Sequence, residues 1–222
     1  MAEHIVKILL TEYVTPDVKR FVVEKPEGYA FIPGQATDVS INMEGLKEHK
    51  RPFTFTSLND WSYLEFTIKM YREHKGVTRE LEQLQVGDEL IIREPWGAIA
   101  YRGPGVFLAG GAGITPFIAI LRQLFTDNNI AGNMLIFSTQ TSKDVIYGNE
   151  LVAMLGGNFF NVLTRENVIG FYDKRIDENY LKETIRNFSQ NFYVCGPPDF
   201  VTDLTKFLGG LGASSENIIF EK

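Results

Sequence analysis

Three glycines fall within four positions in the run Phe107-Leu-Ala-Gly-Gly-Ala-Gly-Ile-Thr-Pro116. Before them, Val106 to Ala109 reads as a buried strand. After them, Phe117, Ile120, Leu121 and Leu124 fall at helical spacing behind Pro116. Strand, glycine turn and helix start are the parts of a phosphate-binding turn. Gly111 and Gly113 let backbone N–H groups approach a pyrophosphate, and the helix N-terminus adds partial positive charge. Pro116 suits the first helical turn, where its missing N–H has no intrahelical partner to lose. The spacing Gly111-x-Gly113-x-x-Pro116 sets proline where the dinucleotide fingerprint has a third glycine. Taken alone, a tight turn between strand and helix accounts for these glycines about as well.

The N-terminal half offers further candidates. Arg51-Pro-Phe-Thr-Phe-Thr-Ser57 sets an arginine, an aromatic ring and a hydroxyl on one strand. A regular strand would put Arg51 and Phe53 on one face and Thr54 on the other. Composition alone favours a plainer edge strand with a solvated arginine. Gly76-Val77-Thr78 begins a short helix, where N–H groups and a hydroxyl could hold a phosphate or Thr78 could simply cap the helix. Pro95-Trp96-Gly97 is a turn whose ring is equally suited to core packing.

The elements that must position these residues follow two grammars. Up to about Arg102, strands are expected at Ile5–Thr11, Val18–Glu24, Ala36–Ile41, Arg51–Ser57, Leu64–Lys69 and Glu89–Glu94, with one helix at Val77–Leu84. Alternating burial and turns such as Pro33-Gly34 point to an antiparallel β-barrel over residues 1–102. From Gly103, strands are expected at Val106–Ala109, Asn133–Ser138, Asn158–Leu163 and Phe192–Cys195. They alternate with helices at Pro116–Phe125, Lys143–Met154, Asn179–Phe188 and Asp199–Leu208. That pattern implies a Rossmann-like α/β domain over residues 103–222, a parallel sheet with helices on both faces.

Composition sets the bounds. The 222 residues suffice for two ordinary domains, and a hydrophobic fraction of 44% is that of a globular chain. The longest apolar run, Gly103 to Leu121, is broken by glycine and proline and is no membrane span. Met-Ala-Glu-His at the N-terminus is unlike a secretory signal. The single cysteine, Cys195, excludes an intrachain disulfide or a cysteine-built zinc or iron–sulfur centre. A cytoplasmic setting is expected. A net charge of -6 argues against general nucleic-acid binding, and His4, His49 and His74 have no metal spacing and are expected in solvent.

In their order, these motifs resemble the ferredoxin–NADP reductase family. Its flavin domain carries Arg-x-Tyr-Ser, then a Gly-x-x-Ser-like phosphate turn, then a Gly/Pro-aromatic-Gly turn. Pro33-Gly34-Gln35 is similar to the family's Pro-Gly-Gln, and Cys195-Gly-Pro-Pro198 to its Cys-Gly-Pro turn. The likeness covers nearly the whole chain. It implies an FAD-binding barrel, an NAD(P)-binding domain, and hydride transfer from NAD(P)H to flavin N5. Electrons would then pass to a small acidic carrier such as ferredoxin or flavodoxin. A reductase of free flavin, or an electron-transfer or nucleotide-sensing subunit of a larger complex, are the alternatives.

The resemblance also assigns roles. Arg51 would pair with flavin phosphate, beside Pro52. Phe53, where the family has tyrosine, would stack on the isoalloxazine, and Thr54 would set its hydroxyl near N5. Lys69 and Tyr71 would flank the ribityl or pyrimidine edge, and Gly76, Val77 and Thr78 would hold the diphosphate, favouring FAD over FMN. On the nucleotide side, Gly111, Gly113, Thr115 and Pro116 would hold NAD(P)H, with Thr115 near the nicotinamide ribose. Cys195, Gly196 and Pro197 would meet the nicotinamide ring. Arg165, in Thr164-Arg165-Glu166, resembles the Ser-Arg-Glu of NADPH users, although Gln140 stands where such members place an arginine. Glu221 matches a C-terminal acid near the flavin, without the terminal aromatic of plant-type members.

Overall fold

Strand formation in the first half follows the alternation of branched and aromatic residues, and its departures from regularity bend the sheet closed. The computed structural model describes residues 2–71, 76–168 and 175–220. Strands β1 (His4–Thr15), β2 (Val18–Glu24), β3 (Ala36–Ile41), β4 (Arg51–Thr54), β5 (Tyr63–Lys69) and β6 (Glu89–Ile92) form one antiparallel sheet. Their order is β4-β3-β6-β1-β2-β5. β1 runs past its expected end at Thr11. Its first residues pair with β6 and its later ones with β2, with register shifts between Ile8 and Leu10 and between Tyr13 and Thr15. Such bulges add twist and re-aim a strand. The expected alternation fails there, leaving Leu9 and Leu10 both exposed.

β4 ends at Thr54, short of the expected Ser57, because the chain changes partner. Phe55 bridges to Phe66 of β5, the opposite edge of the sheet, and this closes the barrel. Beyond it the Thr56 amide donates to the Glu65 carbonyl at 2.8 Å, and the Glu65 amide to Ser57 Oγ at 3.1 Å. Phe21, Phe55, Phe66, Val39, Leu64 and Leu90 fill the interior, with Phe31 stacked on Phe55 at 4.2 Å between centroids. One helix, α1 (Val77–Gln83), carries Val77 and Leu81 into that core.

A parallel sheet ordered β11-β10-β7-β8-β9 follows. It comprises β7 (Gly105–Gly110), β8 (Met134–Thr139), β9 (Phe159–Leu163), β10 (Asn191–Cys195) and β11 (Ile218–Phe220). Alternation along β7 divides its faces. Phe107 and Ala109 face α2 (Thr115–Thr126) and α3 (Gly148–Leu155), while Val106 and Leu108 face α4 (Glu178–Thr184) and α5 (Pro198–Gly210). β11 was not expected, since three residues behind Ser214 and Ser215 give too short a pattern to read. The single helix expected at Lys143–Met154 is instead two pieces. Thr141 and Asp144 close a reciprocal capping box around a tight turn, Tyr147 adopts φ 53°, and only then does α3 begin. α4 stops at Thr184 because buried Ile185 turns extended. No helix among the described residues is long and apolar enough to cross a membrane.

The two sheets are fastened together. Tyr193 Oη donates to the Gly103 carbonyl at 2.7 Å and accepts from the Arg102 amide at 2.8 Å, pinning the connecting segment. Val18 and Ile99 of the first half pack into the core that α2 covers. Gly34, at φ 102°, lets its turn lie against them, since a Cβ there would stand 2.4 Å from the Ile99 carbonyl oxygen and 3.1 Å from Ile120 of α2. Between the sheets, Glu65 of β5 is wholly buried and pairs with Arg122 of α2 at 2.7 Å and Arg20 of β2 at 2.7 Å.

Burial alone would push the Glu65 carboxyl up. The charges of Arg122 and Arg20, their hydrogen bonds and that of Thr56 outweigh it and hold the group below the ordinary carboxylate range. A depressed folded-state pKa contributes stability that is complete above the unfolded value of about 4.3 and is lost as pH falls through the folded one. Glu65→Gln should therefore cost about 3 kcal/mol near neutrality. The deficit should stay flat down to about pH 5 and close below about pH 4. Urea unfolding across that range measures it; a deficit that widened in acid would contradict the assignment.

Candidate active site

The carboxyl ends of four parallel strands open onto one cavity of about 600 Å³. Gly110 ends β7, Thr139 ends β8, Thr164 follows β9 and Gly196 follows β10, and all line it. Ligands of open α/β sheets bind at this end, where strand order reverses on either side of the first strand. From the barrel, Lys69 and Tyr71 at the end of β5 line the same cavity, so both halves of the chain contribute to one site.

The glycines do different work from one another. A Cβ on Gly113 would stand 2.3 Å from the Cys195 carbonyl oxygen, and one on Gly196 would stand 2.7 Å from the Phe200 ring. Gly110 is similarly close to Phe200 and Pro197, at 3.1 Å. These glycines allow the turn after β7 and the turn after β10 to touch, which fixes the cavity floor. Gly111 differs from them: it has φ 53°, and a Cβ there would meet nothing within 4 Å. It lines the cavity with room beside its α-carbon, which suits the close approach of a phosphate.

A tight turn over Gly111–Ile114 precedes α2. Thr115 Oγ1 donates to the Ala112 carbonyl at 3.0 Å, and Pro116 is buried in the first turn of the helix. Neither lines the cavity, in contrast to Gly111, Gly113, Gly196 and Pro197. Cys195, half-buried at the end of β10, borders the cavity through its neighbour Gly196.

On the barrel side the β3–β4 ladder is regular, with Val39 opposite Arg51 and Thr37 opposite Phe53. Arg51 and Phe53 thus share a face and Thr54 takes the other. Arg51 and Pro52 are exposed, and the Arg51 guanidinium donates to the Lys50 carbonyl at 2.9 Å. Phe53 packs on the barrel core, and Thr54 is half-buried. The Pro33-Gly34-Gln35 turn supports this strand, since the Gln35 carbonyl accepts from the Phe55 amide at 3.1 Å.

Gly76, in extended backbone, takes the cap position of α1, Thr78 lies in the first turn, and no side chain caps the helix. Thr78 as a plain cap is therefore set aside. Val77 contributes a buried side chain rather than a surface one. The far end of α1 is held by a residue that sequence reasoning missed. Lys19 Nζ donates to the carbonyls of Glu82 and Leu84 at 3.0 and 2.9 Å, and lies 5.2 Å from the Phe21 ring centroid. Burial lowers its pKa, against the pull of Glu82 and Asp88. Nothing in Val18-Lys19-Arg20-Phe21 distinguishes it from a solvated strand lysine.

Arg165 and Arg175 both line the cavity. Arg175 was not anticipated, because a lone arginine ahead of a helix carries no pattern. Glu166 accepts from the Ser142 amide at 2.5 Å, and this backbone hydrogen bond lowers its pKa. Trp96 is 43% exposed rather than packed in the core. His49 is exposed, but His4 is half-buried with its ring edge-on to Tyr29 at 5.5 Å, against the expectation of a solvated histidine. His74 and Glu221 lie outside the described residues.

The donor set fits a dinucleotide. The glycine turn, two arginines and the hydroxyl-bearing Ser138, Thr139 and Thr164 line one cavity, with room beside the Gly111 α-carbon. Replacing Gly113 by alanine should cost about 2–3 kcal/mol of stability, because a backbone carbonyl cannot move aside. Gly111→Ala should cost only about 1 kcal/mol, through backbone strain, and should weaken pyridine-nucleotide binding instead. Urea melts paired with nucleotide titration separate the two; equal stability losses would refute the division.

Comparison with known proteins agrees with this geometry. The oxidoreductase FAD-binding domain family matches residues 6–101, and the oxidoreductase NAD-binding domain family matches residues 107–206. A ferredoxin NADP+ reductase from Neisseria gonorrhoeae, solved with FAD and NADP, superposes with a TM-score of 0.88 at 22% identity, over 100% of this chain and 98% of that one. The FAD/NAD-binding domain of a nitric oxide dioxygenase from Vibrio cholerae gives 0.87 at 22% identity, over 98% and 97%. The reductase component of propane 2-monooxygenase from Rhodococcus jostii is 25% identical over 97% of this chain, which spans only 62% of that protein. NADH-cytochrome b5 reductase 1 from Eremothecium gossypii is 27% identical over 92% of this chain and 77% of its own length. The chain thus belongs to the oxidoreductases that join an FAD-binding domain to an NAD-binding domain in this order, with the fold of a ferredoxin NADP+ reductase.

Proposed function

We propose that this flavoprotein takes a hydride from NAD(P)H onto FAD and passes the electrons to a separate protein carrier. The observation that carries this reading is the shared cavity, in which Lys69 and Tyr71 of the barrel meet the glycine turn and two arginines of the parallel sheet. Bound FAD supplies the conversion of a two-electron donor into one-electron steps. The chain supplies binding and orientation, with residues 1–102 holding the flavin and residues 103–222 the nucleotide. Arg51, with its forked permanent charge, suits a flavin phosphate, and the backbone at Gly76, Val77 and Thr78 suits a diphosphate. Phe53 offers a ring face but no phenolic donor, and Thr54 a hydroxyl for N5. Gly111, with Thr115 and Pro116 behind it, and the Cys195-Gly196-Pro197 turn hold the nicotinamide nucleotide. Glu221 stays a candidate acid at the flavin. A cytoplasmic setting accompanies this reading, on the single cysteine.

NADPH is the favoured donor, because Arg165 and Arg175 on the cavity wall can both meet a 2′-phosphate. Arg165→Ala should raise the KM for NADPH roughly tenfold, as loss of a charge-assisted hydrogen bond predicts, and leave that for NADH nearly unchanged. Steady-state diaphorase assays with both nucleotides check it; equal effects would discard the role.

The electron acceptor we favour is a small acidic protein such as ferredoxin or flavodoxin. Lys47 and Arg51 are exposed and Lys50 half-buried around β4, although Glu44 and Glu48 are interleaved with them. Arg79 is also exposed, while Arg72 and Lys75 of that second basic run lie outside the described residues. The relatives support a second reading, in which the acceptor is a cytochrome or an oxygenase component. Acceptor reduction should slow severalfold between 50 and 300 mM salt, roughly, if opposite charges steer docking. A rate independent of salt for ferredoxin and flavodoxin, with rapid cytochrome reduction, would move the assignment to the second reading.

A further inference from the structure

The guanidinium of Arg122 sits where the two halves of the molecule meet, and every one of its donor atoms is engaged. Nη1 donates to the Thr56 carbonyl at 2.6 Å and to Glu65 Oε1 at 2.7 Å, both in the barrel. Nε and Nη2 form a fork onto Glu150 of α3, at 2.6 and 2.9 Å. The rings of Trp61 and Tyr147 flank it, 5.2 and 5.0 Å from the guanidinium carbon. Glu65 is held in turn by Thr56 Oγ1 at 2.8 Å and by Arg20 at 2.7 Å. Tyr147, in its left-handed conformation ahead of α3, adds a second link through its hydroxyl, 3.0 Å from Thr67 Oγ1 of β5.

Two short covalent paths lead from this arginine to the proposed reacting groups. Thr56, whose carbonyl accepts its hydrogen bond, stands two residues beyond Thr54, the last residue of β4. Arg122 itself lies on α2, which begins at Thr115 directly after the glycine turn. Those two helix positions are about two turns apart and so lie on the same face. α2 thus carries the glycine turn at one end and, two turns on, a hydrogen bond to Thr56 just past β4.

We propose that Arg122, through Thr56 and Glu65, is a positioning residue that sets the distance between nicotinamide and isoalloxazine. It touches neither ring. The inference rests on the hydride-transfer reading above and names the residue that holds its geometry. An error of about 1 Å in such an approach can cost about 100-fold in rate. A planar fork that joins two carboxylates and a carbonyl has no lysine equivalent, so charge alone would not replace it.

The test uses the full chain loaded with FAD, with NADPH as reductant, and compares Arg122→Met and Arg122→Lys with the unmodified protein. The expected result is dissociation constants for FAD and NADP+ within about threefold of the unmodified values. Flavin reduction in stopped flow should slow by about 10- to 100-fold in Arg122→Met, and by less in Arg122→Lys. Calorimetry should give one unfolding transition for the unmodified protein and two for Arg122→Met, as the halves uncouple. Flavin reduction within twofold of the unmodified rate would overturn the proposal. So would a slower rate with a single, unsplit transition, or a rate lost only in proportion to FAD lost. If Arg122→Met does not fold, the same comparison is read on Arg122→Lys, with slowing of about threefold or more at retained FAD as the expected result. An unmodified chain that bound no FAD would remove the functional reading itself, whereas a normal unmodified enzyme with unaffected variants removes only this role.

Discussion

The buried pairing of Arg122 with Glu65 is the constraint on which the relation between the two sheets depends. Each sheet closes its own apolar core, and hydrophobic burial is non-directional, so it would tolerate sliding at the contact. Charges removed from water tolerate much less. Taking both groups into the interior costs several kcal/mol each unless every hydrogen-bonding position is filled. Here Glu65 receives Arg122, Arg20 and the Thr56 hydroxyl, and Arg122 reaches both carboxylates and a backbone carbonyl. A shift of the sheets would leave one of these groups unmet. The cluster therefore adds little net stability relative to an apolar contact, and a great deal of geometric definition.

A second contact completes the site. The turn after β7 and the turn after β10 approach so closely that Gly113 and Gly196 can carry no side chain. That proximity places Cys195 and the Pro197 turn beside the helix that begins at Thr115. Residues of the two turns are separated by about 80 positions in sequence, yet parallel pairing of Val106–Ala109 with Phe192–Cys195 sets them side by side. The sheet register thus determines the cavity, and the glycines are the condition for that register to end in a site.

Much of this was legible because pattern and chemistry agreed. The alternation of Phe107 and Ala109 with Val106 and Leu108 marks a strand buried on both faces, and the glycines that follow mark where it must turn. Arg51 to Thr54, Pro33-Gly34-Gln35 and the Cys195 turn were visible as local motifs. The parts that escaped depend on contacts distant in sequence. Lys19 in a strand and Arg122 in a helix look like solvated cations until the fold shows their partners 28 to 66 residues away. Glu65 looks like the polar position of an alternating strand, and no local signal says that the sheet next door will bury it. Tyr147 broke the expected helix because a left-handed tyrosine has no sequence signature, whereas a left-handed glycine does.

The same distinction is visible across chains of similar fold. Solved structures with 18–24% identity superpose with TM-scores of 0.80 to 0.88, so the two-sheet frame persists while most side chains change. Under the proposed function, what that frame would have to preserve is the separation of two ring sites, and in this chain buried polar contacts and turn glycines hold it. An acceptor protein meets the outer surface, where a substitution leaves the frame intact and changes only the docking partner. Relatives as different as an oxygenase reductase component and a cytochrome b5 reductase match this chain over 97% and 92% of its length. In this chain the exposed charge of Lys47 and Arg51 belongs to that outer surface, and under the proposed function it is where a carrier would dock.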